Sequence, residues 1–248
     1  MRIAVDLDGV LADFHTPFVR TAIRLFPDVD PTLMGSADVG ASPPDDLDET
    51  PDDASGSETP LRTSLTLTRR QSETVWRQIA AVENFWETLD EIEPGAVANL
   101  ARLADARGWE LLFITSRPKV AGRTVQRQSQ AWLQARGFPL PSLYVVRGSR
   151  GRIAEALGLD VVVDDRPENC LDIVLKSKAG ALLVWRGSDQ RKPASVDRLG
   201  IMVVPTVAMA LDALMQADRA ADSQTGMLDR LKRLLGLRTK AASPLVRS

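Results

Sequence analysis

Two aspartates one residue apart, Asp6 and Asp8, close an apolar run and lead into a glycine in Arg2-Ile3-Ala4-Val5-Asp6-Leu7-Asp8-Gly9-Val10. Side chains on a strand alternate faces, so residues two apart point the same way at its end. Gly9 lets the backbone turn beside them at no steric cost. Two carboxylates this close repel, which raises one pKa unless a cation removes the conflict. Oxygen donors suit a hard divalent ion, so the spacing predicts a metal site. The competing reading is a helix-capping aspartate with an Asx turn. A second acidic pair, Asp164-Asp165, ends the run Val161-Val162-Val163. Thr115-Ser116 follows Glu110-Leu111-Leu112-Phe113-Ile114 and offers hydroxyls to a phosphoryl oxygen, although such a pair in isolation is more often a helix cap.

These groups meet only if the runs that carry them are neighbouring strands. Residues 2–7, 110–114, 142–146, 161–163, 181–185 and 201–204 read as strands. Helical spacing fills 95–107, 121–136, 151–157 and 206–217 between and after them. The first of these opens on Pro94-Gly95, repeats Val97, Leu100, Leu103 and Ala104, and ends at Gly108. Strands alternating with helices predict an α/β, Rossmann-like, doubly wound parallel sheet. In such a sheet ligands gather beyond the carboxyl ends of the strands. Asp6/Asp8, Thr115/Ser116 and Asp164/Asp165 all lie at those ends.

Residues 14–93 interrupt the alternation after the first strand and are too long for a simple crossover. They predict a small helical cap inserted into a core made of residues 1–13 and 94–218. Phe14, Phe18, Ile23 and Leu25 mark one helical piece, and Val75, Trp76, Ile79, Val82, Phe85 and Trp86 another. Residues 36–60 between them are rich in Ser, Pro, Gly, Asp and Glu and lack Lys and Arg, which predicts a disordered acidic loop. Phe14, Trp76, Phe85 and Trp86 read equally as packed core or as an aromatic slot for a nucleobase, where stacking is worth ~1–3 kcal/mol per base. At the other end, residues 219–248 read as a basic amphipathic tail. Met227, Leu228, Leu231, Leu234 and Leu235 alternate there with Arg230, Lys232 and Arg233, a pattern that packs on the parent domain or docks on a partner or membrane surface.

With 248 residues, 44% hydrophobic and 26% charged, the chain can bury one full core and a small accessory module. A net charge of -2 gives no general attraction to nucleic acid or anionic lipid. Cys170 is the only cysteine, which excludes an internal disulfide, and His15 the only histidine, which excludes a histidine-based zinc cluster. No basic segment with a following apolar stretch opens the sequence, and no apolar run approaches the ~20 residues that span a bilayer. The expectation is a cytoplasmic protein with no transmembrane segment, compatible with a homodimer.

The ordered set Asp6-Leu7-Asp8-Gly9-Val10, Ile114-Thr115-Ser116-Arg117, a basic residue near 150 and Val163-Asp164-Asp165-Arg166-Pro167 resembles the haloacid dehalogenase (HAD) superfamily of phosphotransferases. Val10-Leu11-Ala12-Asp13-Phe14, Asn84-Phe85-Trp86 before Pro94-Gly95, and Asp164-Asp165-Arg166-Pro167 most resemble its 5'(3')-deoxyribonucleotidase branch, the cytosolic type C 5'-nucleotidases. The resemblance implies a magnesium-dependent phosphomonoester hydrolase acting on nucleoside monophosphates. Asp6 would be the nucleophile that forms an aspartyl-phosphate, and Asp8 the acid and base. The aspartate at position 8 points to phosphate esters rather than carbon–halogen bonds. Magnesium would be held by Asp6, the Asp8 main-chain carbonyl and Asp164, with Asp165 either a further ligand or a partner of one. Thr115 would donate to a phosphoryl oxygen, with Ser116 beside it. The lysine usual in the family is replaced within Gly148-Ser149-Arg150-Gly151-Arg152, so Arg150 takes its role, with Arg152 or Lys119 in reserve. Phe14, Trp76, Phe85 and Trp86 would line the substrate slot, with His15 beside Phe14. The alternatives are a polynucleotide-end phosphatase, against which the acidic loop argues, and a catalytically weak binding or regulatory module of the same fold.

Overall fold

The structure is a computed structural model that describes residues 1–29, 67–186 and 192–234, with side chains through residue 220. Its centre is β1 (Arg2–Val5), whose Ile3, Ala4 and Val5 are all buried. A strand apolar on both faces is what a central position in a parallel sheet requires. Five more strands join it: β2 (Glu110–Thr115), β3 (Ser142–Val145), β4 (Val161–Asp164), β5 (Gly180–Val184) and β6 (Met202–Val204). All pairings are parallel and the order is β3-β2-β1-β4-β5-β6. The chain therefore winds outwards from β1 in both directions, and the crevice beyond the carboxyl end of β1 is the switch point where a ligand belongs.

Helices α1 (His15–Leu25), α2 (Arg69–Ala80), α3 (Ala96–Arg107), α4 (Val125–Ala135), α5 (Arg150–Leu157), α6 (Pro167–Lys176), α7 (Ala194–Arg198) and α8 (Val207–Leu234) complete the described elements. On one face of the sheet, Ala4, Ile114, Val162 and Leu183 pack with Ala154 of α5, Cys170 and Ile173 of α6, and Val196 of α7. Burial raises the pKa of the Cys170 thiol, and the nearby carboxylates of Asp164 and Asp165 add to the rise, so this cysteine is an inert core residue.

Helices α1 and α2 pack together outside the sheet. Helix α2 begins at a capping box, with the Gln71 amide donating to Thr68 Oγ1 at 3.3 Å and Gln71 Oε1 accepting from the Thr68 amide at 2.8 Å. The chain leaves the sheet and returns to it at one place. The Asp13 amide donates to the Asp90 carbonyl at 2.9 Å, the Ile92 amide donates to the Leu11 carbonyl at 2.9 Å, and Ala12 forms an antiparallel bridge with Glu91. The acidic stretch 36–60 lies outside the described residues.

Two details differ from the sequence reading. Strand β1 stops at Val5, so the alternation expected to aim Asp6 and Asp8 together does not extend to Asp8, which sits in the following turn. The expected separation between a helix ending near 217 and a terminal amphipathic one is also absent, because α8 runs unbroken from Val207 to Leu234. No residue between them is a proline, and the lone Gly226 is tolerated inside a helix at a cost of ~1 kcal/mol. The described residues fall into two units, one running Met1–Val207 and the other from Ala208 on. No described helix is long and apolar enough to cross a membrane.

Candidate active site

The site begins where β1 and β4 end. Their register pairs Val5 with Val163, and the next rung, the Asp6 amide donating to the Val163 carbonyl at 2.9 Å, brings Asp6 beside Asp164. Both are buried, Asp6 8% and Asp164 1% exposed. Burial drives the pKa of Asp6 well above the usual carboxylate range, Asp164 adds to the rise, and Arg150 opposes it. Asp164 is raised by burial too, against the pull of Arg150, the Arg166 amide and Asn169. Its oxygens accept from the Arg166 amide at 2.9 Å and from Asn169 Nδ2 at 3.0 and 3.1 Å. Asp165 is pushed up to about 8, chiefly by burial and then by the charge of Asp164.

Between the two buried carboxylates lies Arg150, 6% exposed. Its Nη2 donates to Asp6 Oδ1 at 3.2 Å and its Nε stands 4.0 Å from Asp164 Oδ2. Its Nη1 is buried with no hydrogen-bond partner among the described residues. Such a donor costs desolvation unless something accepts from it. Arg150 owes its place to the start of α5. Ser149 caps the helix by accepting from the Arg152 amide, and Asp172 of α6 accepts from the Ser149 hydroxyl at 2.7 Å and from the Gly151 amide at 2.8 Å. Although its own burial works the other way, these hydrogen bonds and Lys176 hold the Asp172 carboxyl below its ordinary pKa. Gly151 is required by the approach of α6: a Cβ there would stand 2.8 Å from both the Asp172 carbonyl carbon and Lys176 Cβ, with the carbonyl oxygen nearer still.

The turn after β1 is equally specified. Gly9 has φ +81°, the Leu11 and Ala12 amides donate to the Leu7 carbonyl at 2.8 and 2.7 Å, and a Cβ on Gly9 would stand 2.5 Å from Asp165 Cγ. Arg186, just beyond β5, donates to the Gly9 carbonyl, to the Val10 carbonyl at 3.1 Å and to Glu93 at 2.8 Å, strapping the turn from the far side. Asp8 faces Arg117, whose Nε and Nη2 donate to its two oxygens at 2.8 Å.

Thr115 ends β2 and is 1% exposed, one strand away from Asp6, whereas Ser116 and the two reserve cations, Arg152 and Lys119, are exposed. His15 is half-buried at the start of α1.

Among the described residues no three acidic side chains stand together as a metal-holding group, so the side chains of Asp6, Asp8, Asp164 and Asp165 do not form a ready-made cage. Arg150 sits between two of the four and Arg117 ties down the third. The donor chemistry still fits magnesium, because Asp6 and Asp164 share one guanidinium, Asp165 beside them is raised as well, and every donor is an oxygen.

The four aromatic residues, which read equally as core or as slot, pack on one another. Phe14 stacks on Trp76 at 5.1 Å and touches Trp86 at 5.5 Å and Phe85 at 6.1 Å, while Phe85 meets Trp86 at 5.1 Å. The four rings cover one another's faces and are buried, so stacking within the cluster has replaced the open surface a base would need. One polar edge is left over, since Trp76 Nε1 is buried with no partner among the described residues. Arg117, Asn169, Asp172 and Arg186 were not singled out as site residues by the sequence.

No protein-family model and no curated protein matches the chain in sequence. In three dimensions it is similar to a crystal structure described as a HAD family hydrolase from Deinococcus radiodurans R1 with bound phosphate and sodium. The two are 16% identical with a TM-score of 0.54, over 87% of this chain and 95% of that one. It is also similar to a hydrolase from Pseudomonas syringae, at 16% identity and a TM-score of 0.50, over 87% of this chain and 99% of that one. The likeness is one of fold: a six-stranded parallel sheet flanked by helices, as in HAD hydrolases.

Proposed function

We propose that this chain is a phosphomonoester hydrolase that works through an aspartyl-phosphate on Asp6. The observation that carries the reading is Arg150, a buried guanidinium with one unpartnered Nη1 beside the candidate nucleophile. A cation placed there in advance stabilises the charge spread over the equatorial oxygens of a transferring phosphoryl group. Asp6 attacks phosphorus in line, the bond to the ester oxygen breaks, and that oxygen leaves with a proton from Asp8. Asp8 then takes a proton from water, which attacks the aspartyl-phosphate and releases inorganic phosphate and Asp6. Thr115, at the adjoining strand end, would donate its hydroxyl to a phosphoryl oxygen.

Asp6, the Asp8 main-chain carbonyl and Asp164 would hold magnesium, with Asp165 beside them, and the ion supplies the positive charge that keeps Asp6 ionised. The crystal structure of similar fold that contains phosphate supports a phosphate-handling site in this fold. The finer reading is a nucleoside monophosphate as substrate. It rests on the resemblance of Val10-Leu11-Ala12-Asp13-Phe14, Asn84-Phe85-Trp86 and Asp164-Asp165-Arg166-Pro167 to the 5'(3')-deoxyribonucleotidases.

Both readings are tested by incubating the purified chain and its Asp6→Asn variant with magnesium and a panel of nucleoside monophosphates and small alkyl phosphates. Phosphate release by the wild type alone supports the hydrolase. Equal background in both overturns it and leaves a binding module of the same fold. A higher kcat/KM for nucleotides than for alkyl phosphates supports the finer reading, and no preference removes it.

A further inference from the structure

We infer that Arg117 is the positioning residue for Asp8, fixing the direction in which that carboxyl meets the ester oxygen; the inference rests on Asp8 serving as the acid of the proposed hydrolase. Arg117 is the residue after Thr115-Ser116 and its side chain has no exposed surface. Nε donates to Asp8 Oδ2 at 2.8 Å and to Oδ1 at 3.1 Å, Nη2 donates to Oδ1 at 2.8 Å, and Nη1 donates to Ser129 Oγ at 2.9 Å. The guanidinium lies 4.8 Å from the centre of the Trp86 ring and 5.9 Å from that of Trp132. Both rings are themselves anchored. Trp86 Nε1 donates to the Pro118 carbonyl at 3.0 Å and the Trp86 amide to Gln128 Oε1 at 3.1 Å, while Trp132 Nε1 donates to the Leu89 carbonyl at 2.7 Å.

A planar fork held between two fixed indoles has little freedom, and a carboxylate gripped on both oxygens takes its plane from the fork. A carboxylate has about four lone-pair sites; the two short bonds of the fork take one on each oxygen, and the longer Nε contact at 3.1 Å takes a second on Oδ1. Those remaining on Asp8, which is 23% exposed, are therefore held at one orientation instead of rotating about the Cβ–Cγ bond. Burying an ion pair of this kind brings little net stability compared with apolar residues of the same size. Its effect falls on geometry, and proton transfer to a leaving oxygen depends on geometry first. The grip also spans three segments, because Asp8 follows β1, Ser129 and Trp132 belong to α4, and Trp86 belongs to the short helical turn Phe85–Glu87 by which the cap returns.

The test uses two monoesters that differ in their need for a proton. The nitrophenolate of p-nitrophenyl phosphate departs without one, whereas the alkoxide of an alkyl phosphate does not. In Arg117→Met, kcat/KM for the alkyl ester is expected to fall by about 100-fold and that for p-nitrophenyl phosphate by less than about tenfold, with KM for the alkyl ester little changed. Arg117→Lys is expected to recover only a small part, because a point-charge ammonium cannot grip both oxygens. Equal falls on the two esters, or no fall on either, overturn the inference. Should Arg117→Met fail to fold, Ser129→Ala removes the Nη1 partner alone; it supports the inference by the same selectivity at smaller size and overturns it by showing none. A wild-type chain that hydrolyses neither ester refutes the hydrolase reading itself, whereas an active wild type with an unselective variant refutes Arg117 alone.

Discussion

Gly151→Ala separates two kinds of reasoning, because they give opposite signs. Alanine is a better helix former than glycine by ~1 kcal/mol, so helix propensity alone predicts a more stable chain. The packing predicts the reverse. The added methyl would meet the Asp172 carbonyl carbon and Lys176 Cβ at 2.8 Å, where ordinary contact begins at 3.4 Å, and the Asp172 carbonyl oxygen is nearer still, so α5 and α6 must part by more than 0.6 Å. The obstruction is largely backbone, which does not swing aside, and overpacking of this kind costs ~1–3 kcal/mol. Set against the helix-propensity gain, the net expectation is a loss of up to about 2 kcal/mol, read as a lower Tm or urea midpoint with an unchanged m-value. The functional loss should be larger than the stability loss. Arg150 precedes Gly151 on the same helical turn and reaches Asp6 at 3.2 Å, so moving α5 outwards lengthens that contact, and displacements near 1 Å can cost ~100-fold in rate. Phosphate release and thermal unfolding measured on the same preparation test both parts. A variant that melts higher than wild type and retains its kcat would refute the argument.

Arg150→Ala should act more severely on the same pair of carboxylates. It leaves Asp6 and Asp164 buried without their shared cation, and the expected outcome is a ~100-fold or greater loss of kcat with ~3–5 kcal/mol lower stability, checked by single-turnover kinetics and urea unfolding. Asp165→Asn tests the acidic excess through pH. A carboxyl raised to about 8 in the folded chain, against ~3.9 unfolded, contributes stability that is fully present below pH ~4 and is lost as pH rises through 8. Without metal, the wild type should therefore lose Tm between pH 5 and pH 9, and the Asn variant should lose less; parallel curves would count against it. Magnesium should offset the wild-type loss at high pH, and less so in the variant.

The sheet was legible because its signals are local. Continuous apolar runs marked the strands, glycines marked the caps of α3, and the carboxylates that the structure brings together at the ends of β1 and β4 stood out by residue type alone. What the sequence could not reveal depends on partners far along the chain. Arg117 finds Asp8 across 109 positions and Arg186 finds the Gly9 carbonyl across 177, and nothing in the spacing of either arginine signals an acceptor. Gly151 read as an unremarkable glycine near a helix start, since the residue that requires it is on a different helix. The aromatic residues failed in another way. Their helical spacing fits a packed cluster and an open slot equally, and only coordinates reveal that the rings cover one another.

The antiparallel bridge between Ala12 and Glu91 brings the outgoing and incoming chain together, so whatever lies between Asp13 and Asp90 begins and ends at nearly the same point in space. Closing a long excursion between fixed, adjacent ends grows only logarithmically in entropic cost with its length. The sheet is thereby indifferent to how large the module ahead of the Phe85–Glu87 turn is, and the junction is a natural place to graft a shorter or foreign one while Asp6, Asp8 and Asp164 stay where they are.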